Sequence, residues 1–172
     1  ITVNAVNDAP VISAPASQAV NEDSTLTFNG SNNNAITVSD VDGSSGQLTI
    51  SVTNGVLSLS STTGLSFTTG DGTNDATMTF TGSLTDINNA LSGLLFVPNP
   101  NFNGSSTLSV SFSDQGATGA GGALSDSKSV TITVASINDA PSGTDGIVSA
   151  IEDTPYVFTA NDFGFSDPLD SP

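Results

Sequence analysis

Ten side chains of this sequence carry oxygen atoms at positions where they could gather: Asn7, Asp8, Glu22, Asp40, Asp42, Asp114, Asn138, Asp139, Asp167 and Asp170. All sit in polar turns between apolar runs. The chain has no Cys and no His, so disulfides, zinc-thiolate centres and thiol nucleophiles are excluded. What remains is oxygen chemistry. Seventeen acids face one base, Lys128, for a net charge of −16. Where carboxylates meet, each close pair repels by about 1–4 kcal/mol at partly exposed sites. A single lysine cannot neutralise several such sites. Protonation, splaying apart or a bound cation would relieve them. An all-oxygen ligand set selects a hard cation, and Ca2+ suits an irregular shell of six to eight oxygens better than Mg2+. The plainer alternative is that Asp and Asn occupy these turns because turns favour them. Both readings stand at this point.

Gathering requires a fold that brings the turns together, and the sequence indicates one through repetition. Residues 1–10, ITVNAVNDAP, return as residues 132–141, ITVASINDAP, at a constant offset of 131. Glu22-Asp23 and Phe28 return as Glu152-Asp153 and Phe158 at an offset of 130. A period of this size marks a tandem array. The expected divisions are residues 1–9, the last strand of a preceding module with its linker; 10–137, one complete module; and 138–172, a linker and the opening of the next module. About 130 residues suffice to bury a core without staples.

Within the module, apolar residues alternate with Ser, Thr and Asn at period two, which predicts strands. Residues 1–6 read as a strand. Residues 11–20, with Pro15, read as an irregular edge strand. Leu26 with Phe28, Ile36 with Val38, and Leu48, Ile50 and Val52 continue the alternation. Asn54-Gly55 is a hairpin signal, with residues 56–59 returning from it. Residues 65–68 and 78–80 flank a loop holding Asp71, Thr73 and Asp75, read as a plain turn rather than a small calcium loop. Residues 85–92 form the one expected helix: Ile87, Ala90, Leu91 and Leu94 fall on one face, Thr85 can cap it, and Gly93 can end it. Asp86 there would complement the helix dipole. Residues 95–97 predict a buried strand closed by Pro98 and Pro100. Leu108, Val110 and Phe112, then Val130, Ile132 and Val134, complete the set around a Gly/Ala-rich loop, 116–123. Phe96, Phe102, Phe112 and Tyr156 read as core, and Lys128 as a solvated edge charge. Short strands and frequent turns specify an all-β, antiparallel Greek-key β-sandwich of immunoglobulin-like type with one short inserted helix, repeated in tandem. Turns would alternate ends. Asn7, Asp8, Asp40, Asp42 and Asp114 would share one end, and Glu22 the other, where it would meet Asn138, Asp139, Asp167 and Asp170 of the next module.

The order of these motifs resembles the cadherin repeat, and closely the cadherin-like tandem repeats of giant bacterial surface adhesins. Glu22-Asp23 is similar to the acidic turn after the first cadherin strand. Asp40-Val41-Asp42-Gly43 resembles the D-x-D-x-G turn, Ser113-Asp114-Gln115-Gly116 the A-x-D-x-G turn, and Val6-Asn7-Asp8-Ala9-Pro10 the linker. The first linker Asp of cadherins is Ala5 here and Ser136 in the second copy, so one or two ions per junction are expected. The resemblance implies Ca2+ at module junctions, stiffening a rod-like protein at a bacterial cell surface.

Function classes narrow accordingly. Without a basic patch, nucleic acid is excluded as a partner, and anionic lipid is disfavoured. No apolar run approaches a membrane span, and no signal peptide is apparent. Lacking His, Cys and Arg, an enzyme would have only a carboxylate pair to work with, as in glycosidases; none is expected. The first expectation is an extracellular structural extender of an adhesin or matrix protein, serving adhesion or biofilm spacing. Its partners would be neighbouring modules, other copies by strand addition through residues 1–6, and glycans reached through other domains. The second is a carbohydrate-binding module, which needs exposed aromatic platforms.

Overall fold

The computed structural model describes residues 2–116 and 118–166. It divides into two compact units, Ile1–Ala135 and Ser136–Pro172.

The first unit is a β-sandwich. Its larger layer is a six-stranded sheet in the order β2 (Ser17–Asn21), β11 (Ser125–Ala135), β10 (Gly104–Ser113), β5 (Ser45–Val52), β8 (Thr77–Ser83), β7 (Ser66–Thr69). The facing layer consists of a three-stranded sheet, β3 (Leu26–Phe28), β9 (Leu94–Pro98), β6 (Gly55–Ser58), and a two-stranded one, β1 (Val11–Ser13) with β4 (Thr37–Ser39). All pairs are antiparallel except β2 with β11. The period-two pattern accounts for both faces of the large sheet. Leu48, Ile50, Met78, Phe80, Leu108, Val110, Phe112, Val130, Ile132 and Val134 point into one core with Phe28, Leu57, Leu94 and Phe96 of the opposite layer. The intervening Ser and Thr residues form hydroxyl rows across the outside, such as Ser127, Ser111, Thr49 and Thr79 in one register; Thr49 and Thr79 hydroxyls meet at 3.1 Å.

Pro15 shapes the entry. A proline cannot continue a ladder, and the edge strand expected over 11–20 breaks there into β1 and β2, one in each layer. Asn54-Gly55 behaves differently from the hairpin expected. Asn54 takes a left-handed φ of 55°, yet β6 pairs with β9, not with β5. The turn is a corner between layers, and Gly55 lies so close beneath Phe96 that a Cβ would run into its ring.

The helix α1 spans Leu84–Leu91, one residue earlier than expected. Ser83, not Thr85, is its cap: its hydroxyl accepts the Asp86 N–H at 3.1 Å and donates to Asp86 Oδ2 at 2.7 Å. Gly93 ends it at φ 102°. Ile87, Ala90 and Leu91 are buried, so the helix carries the chain from β8 to β9 with its apolar face inward. β9 is half-buried instead of fully buried: Leu95 and Val97 are each 36% exposed, because only one face of that sheet meets the core.

Two further expectations change. Among residues 2–6 only Val6 is bridged, in parallel to Ala120; the rest have no ladder and are not a strand. Tyr156, read as core, is exposed, whereas Phe96 and Phe112 are buried and Phe102 packs against the core.

The second unit is irregular over its described residues. It holds a 3-10 turn, Ala160–Phe163, and a bridge between Ser142 and Ser166. Its backbone does repeat one feature of the first unit. Asp153 takes φ 60° in a turn after Glu152, as Asp23 takes φ 55° after Glu22.

Candidate functional site

The register Val11↔Ser39 between β1 and β4 sets what comes before β1 beside what comes after β4. Asn7 and Asp8 precede β1, and Asp40 and Asp42 follow β4, so they share one end of the sandwich. Asp114 joins them because β10 ends at Ser113, paired to Ser125. Glu22 lies at the opposite end, where its N–H donates to Ala135 O at 2.8 Å and its residue is buried. The division between ends agrees with the alternation of strands.

At the first end the geometry has two parts. Asn7 is 5% exposed and Asp114 1%. Asn7 Nδ2 donates to Asp114 Oδ2 at 2.6 Å and to Gly122 O at 2.9 Å, while Asn7 Oδ1 accepts the Thr118 hydroxyl at 3.0 Å. Asp114 Oδ1 accepts N–H groups from Gly116 at 2.8 Å and Leu124 at 2.9 Å. Burial pushes the Asp114 pKa up, but these two N–H groups and the Asn7 amide together outweigh it and hold the carboxyl below its ordinary value. Both side chains are engaged by the chain itself, as a latch on the segment that leads into the module.

The second part is Asp8 with the turn 40–43. Asp40 Oδ1 accepts the N–H of Asp42 at 3.2 Å and of Gly43 at 3.1 Å. Asp42 Oδ2 accepts the Asp8 N–H at 3.2 Å. Asp40 Oδ2 and Asp42 Oδ1 are buried and have no hydrogen-bond partner. Gly43 lies close beside them: a Cβ there would stand 2.6 Å from Asp40 Oδ2 and would turn that carboxylate aside. Asp8, Ala9, Val11, Ser39, Asp40 and Val41 line a cleft of about 400 Å³. Buried carboxylate oxygens without donors are costly, and a hard cation is the group such oxygens accept. Among the described residues no three carboxylates converge into one metal centre, so protein carbonyls or water would have to complete a shell.

The remaining candidates lie elsewhere. Asn138 and Asp139 belong to the second unit, where Asn138 Nδ2 donates to Asp139 O at 2.8 Å. Asp167 and Asp170 fall outside the described residues. The 70–75 loop is a turn closed by its own carboxylate: Asp75 Oδ2 accepts the N–H groups of Asp71, Gly72 and Thr73. Lys128 pairs with Asp126 at 3.4 Å and is half exposed.

Several residues that matter here were not singled out by sequence. Asp126 accepts the Ile12 N–H at 2.8 Å, tying β1 to β11. Asn88, on α1, exchanges two hydrogen bonds with the Val38 backbone at 2.9 and 2.8 Å, as a neighbouring strand would. Thr118 and Gly122 complete the latch. Only the Gly/Ala richness of 116–123 hinted at a loop that must approach other backbone closely.

The second unit presents an aromatic run. Ring centroids of Tyr156 and Phe158 are 5.2 Å apart, of Phe158 and Phe163 5.6 Å, and of Phe163 and Phe165 5.6 Å. All four rings are exposed, Phe165 most at 67%. The Tyr156 hydroxyl donates to Asp162 Oδ1 at 2.8 Å, which raises the phenol pKa.

No protein-family model matches the sequence. No curated protein matches it either. Among solved structures, a chain of the CaDoc0917–CaCohA2 complex crystallised at pH 5.5 is similar at 16% identity, covering 73% of this chain and 99% of its own, with a TM-score of 0.41. A cohesin module from a Clostridium perfringens family 33 glycoside hydrolase is similar at 12% identity, covering 76% and 99%, with a TM-score of 0.35. Among the described residues, no helix is long and apolar enough to cross a membrane.

Proposed function

We propose that this chain is a calcium-stiffened extender segment of an extracellular, surface-attached protein, built of β-sandwich modules in series and having no catalytic role. Residues 1–9 would close one module, 10–137 form the next, and 138–172 open a third. The observation that carries the reading is the meeting of the segment leading into the module with the 40–43 turn. Asp8 and Asp42 are joined there, and two buried carboxylate oxygens face no donor. Asp40 and Asp42 would hold the Ca2+ through the two oxygens that no donor reaches, with water and protein carbonyls completing the shell, and Asn7 and Asp114 would fix the segment that brings Asp8 to the turn. The ion would neutralise the carboxylates and stiffen the approach to the sandwich. Glu22, Asn138, Asp139, Asp167 and Asp170 would serve the following junction. Neighbouring modules of the same chain are then the main partners, and spacing at a cell surface the purpose. Calorimetric titration with Ca2+ tests this on the wild type and on Asp40→Ala. Heat of binding is expected from the first and its loss, or at least a tenfold weakening, from the second. No binding to the wild type refutes the calcium reading.

One observation favours a second reading, carbohydrate binding. The rings of Tyr156, Phe158, Phe163 and Phe165 are exposed and beside a carboxylate, the combination that sugar rings stack on. A glycan array probed with the full chain in Ca2+ separates the two: specific binding lost in Tyr156→Ala supports this reading, and a blank array removes it.

A further inference from the structure

The segment before β1 is held in two ways. Its backbone runs parallel to the loop that follows Asp114: Ala120 N–H donates to Ala5 O at 2.9 Å, and Asn7 N–H donates to Ala120 O at 3.0 Å. Its one buried polar side chain, Asn7, makes the three bonds to Asp114, Gly122 and Thr118. Gly119 has to be a glycine for this approach, because a Cβ there would lie 2.6 Å from Asn7 N.

The second copy of the segment differs from the first in an instructive pattern. Asn7 and Pro10 are buried, and both recur, as Asn138 and Pro141. The positions that change are Asn4, Ala5 and Val6, which become Ala135, Ser136 and Ile137. All three are exposed, and Val6 is 69% exposed. Backbone pairing is indifferent to such changes, so nothing the latch touches differs between the copies.

We infer that Asp114, Thr118 and the backbone of residues 119–122 form a receptor for N-D-A-P segments, and that residues 136–141 of a second copy occupy it when residues 5–10 of the first are displaced. Receptor and ligand are different surfaces, so the contact is heterologous and joins copies head to tail. In the wild type the tethered segment holds the receptor at an effective concentration in the millimolar range, so exchange is rare at micromolar protein. The inference extends the modules-in-series reading but owes nothing to calcium. Its test is run in chelator, where failure of the calcium reading has no effect.

A synthetic peptide of residues 134–141 is titrated into isotope-labelled Asn7→Ala full chain, and the amides of Gly116, Ala120 and Leu124 are followed by NMR. Saturable shifts are expected, with none from a peptide carrying Asn138→Ala and at least tenfold weaker binding to the wild-type chain. Should Asn7→Ala not fold, millimolar peptide on the wild type serves instead, with release of the Asn7 side-chain amide as the readout. Sedimentation should then show concentration-dependent oligomers of Asn7→Ala that are absent from Asn7→Ala/Asn138→Ala. No saturable shift in either protein, equal binding of the Asn138→Ala peptide, or the same monomer from both variants overturns the inference.

Discussion

Asp114 and Asp126 each gather backbone N–H groups, and that use of a carboxylate sets how the fold responds to acid. The Ile12 N–H first, then those of Ser127 and the Lys128 ammonium, outweigh partial burial and lower the Asp126 pKa; Asp114 is lowered as well. A depressed folded pKa means that the unfolded chain binds more protons through that range. Stability from these groups is therefore complete above the unfolded value of about 3.9 and lost as pH falls through the folded values. Melting temperature is expected to be flat above about pH 5 and to fall below about pH 4. Asp126→Asn, which still accepts the Ile12 N–H but cannot titrate, should show a shallower fall; an unchanged slope would remove Asp126 from the account. Asp40 and Asp42 differ in kind, each with an oxygen that no donor reaches. Gly55 shows the same scale in apolar form. Gly55→Ala forces a Cβ into Phe96 and the Val97 carbonyl, and overpacking of this sort costs about 1–3 kcal/mol, measurable by urea denaturation.

At the scale of elements, the strands follow from alternation and the helix from its apolar face and its cap. Ser83→Ala should destabilise the protein by about 1 kcal/mol through loss of the bond to Asp86 N–H, while Thr85→Ala should leave it nearly unchanged; equal effects would reassign the cap. The helix was legible to within one residue because Ile87, Ala90 and Leu91 share a face that only a helix produces. The turn at Asn54-Gly55 was not, because a left-handed residue reverses a chain equally well within a sheet or between layers. Which occurs depends on β9, some forty residues later, offering β6 a partner. Asn88 escaped notice for a related reason: a polar residue on a helix has a strand to complete only once Val38 is beside it.

For the molecule as a whole, the proposal makes calcium a determinant of shape. A fragment carrying two complete modules should have a measurably smaller or more broadly distributed radius of gyration after chelation, in small-angle scattering, than with Ca2+ present. An identical profile would assign any stiffness to the Asn7–Asp114 latch alone. Alternation and turn residues are local or periodic properties, and the sequence by itself determined from them the sandwich class and the setting of Asp8, Asp42 and Asp114 at the end of the first unit away from Glu22. It could not tell which acids are spent on the chain's own N–H groups and which keep an oxygen free, although Asp114 and Asp40 occupy similar turns. That was decided by tertiary structure, because a carboxylate's task depends on which distant backbone folds against it: Leu124 and Asn7 reach Asp114, while nothing of the kind reaches Oδ2 of Asp40.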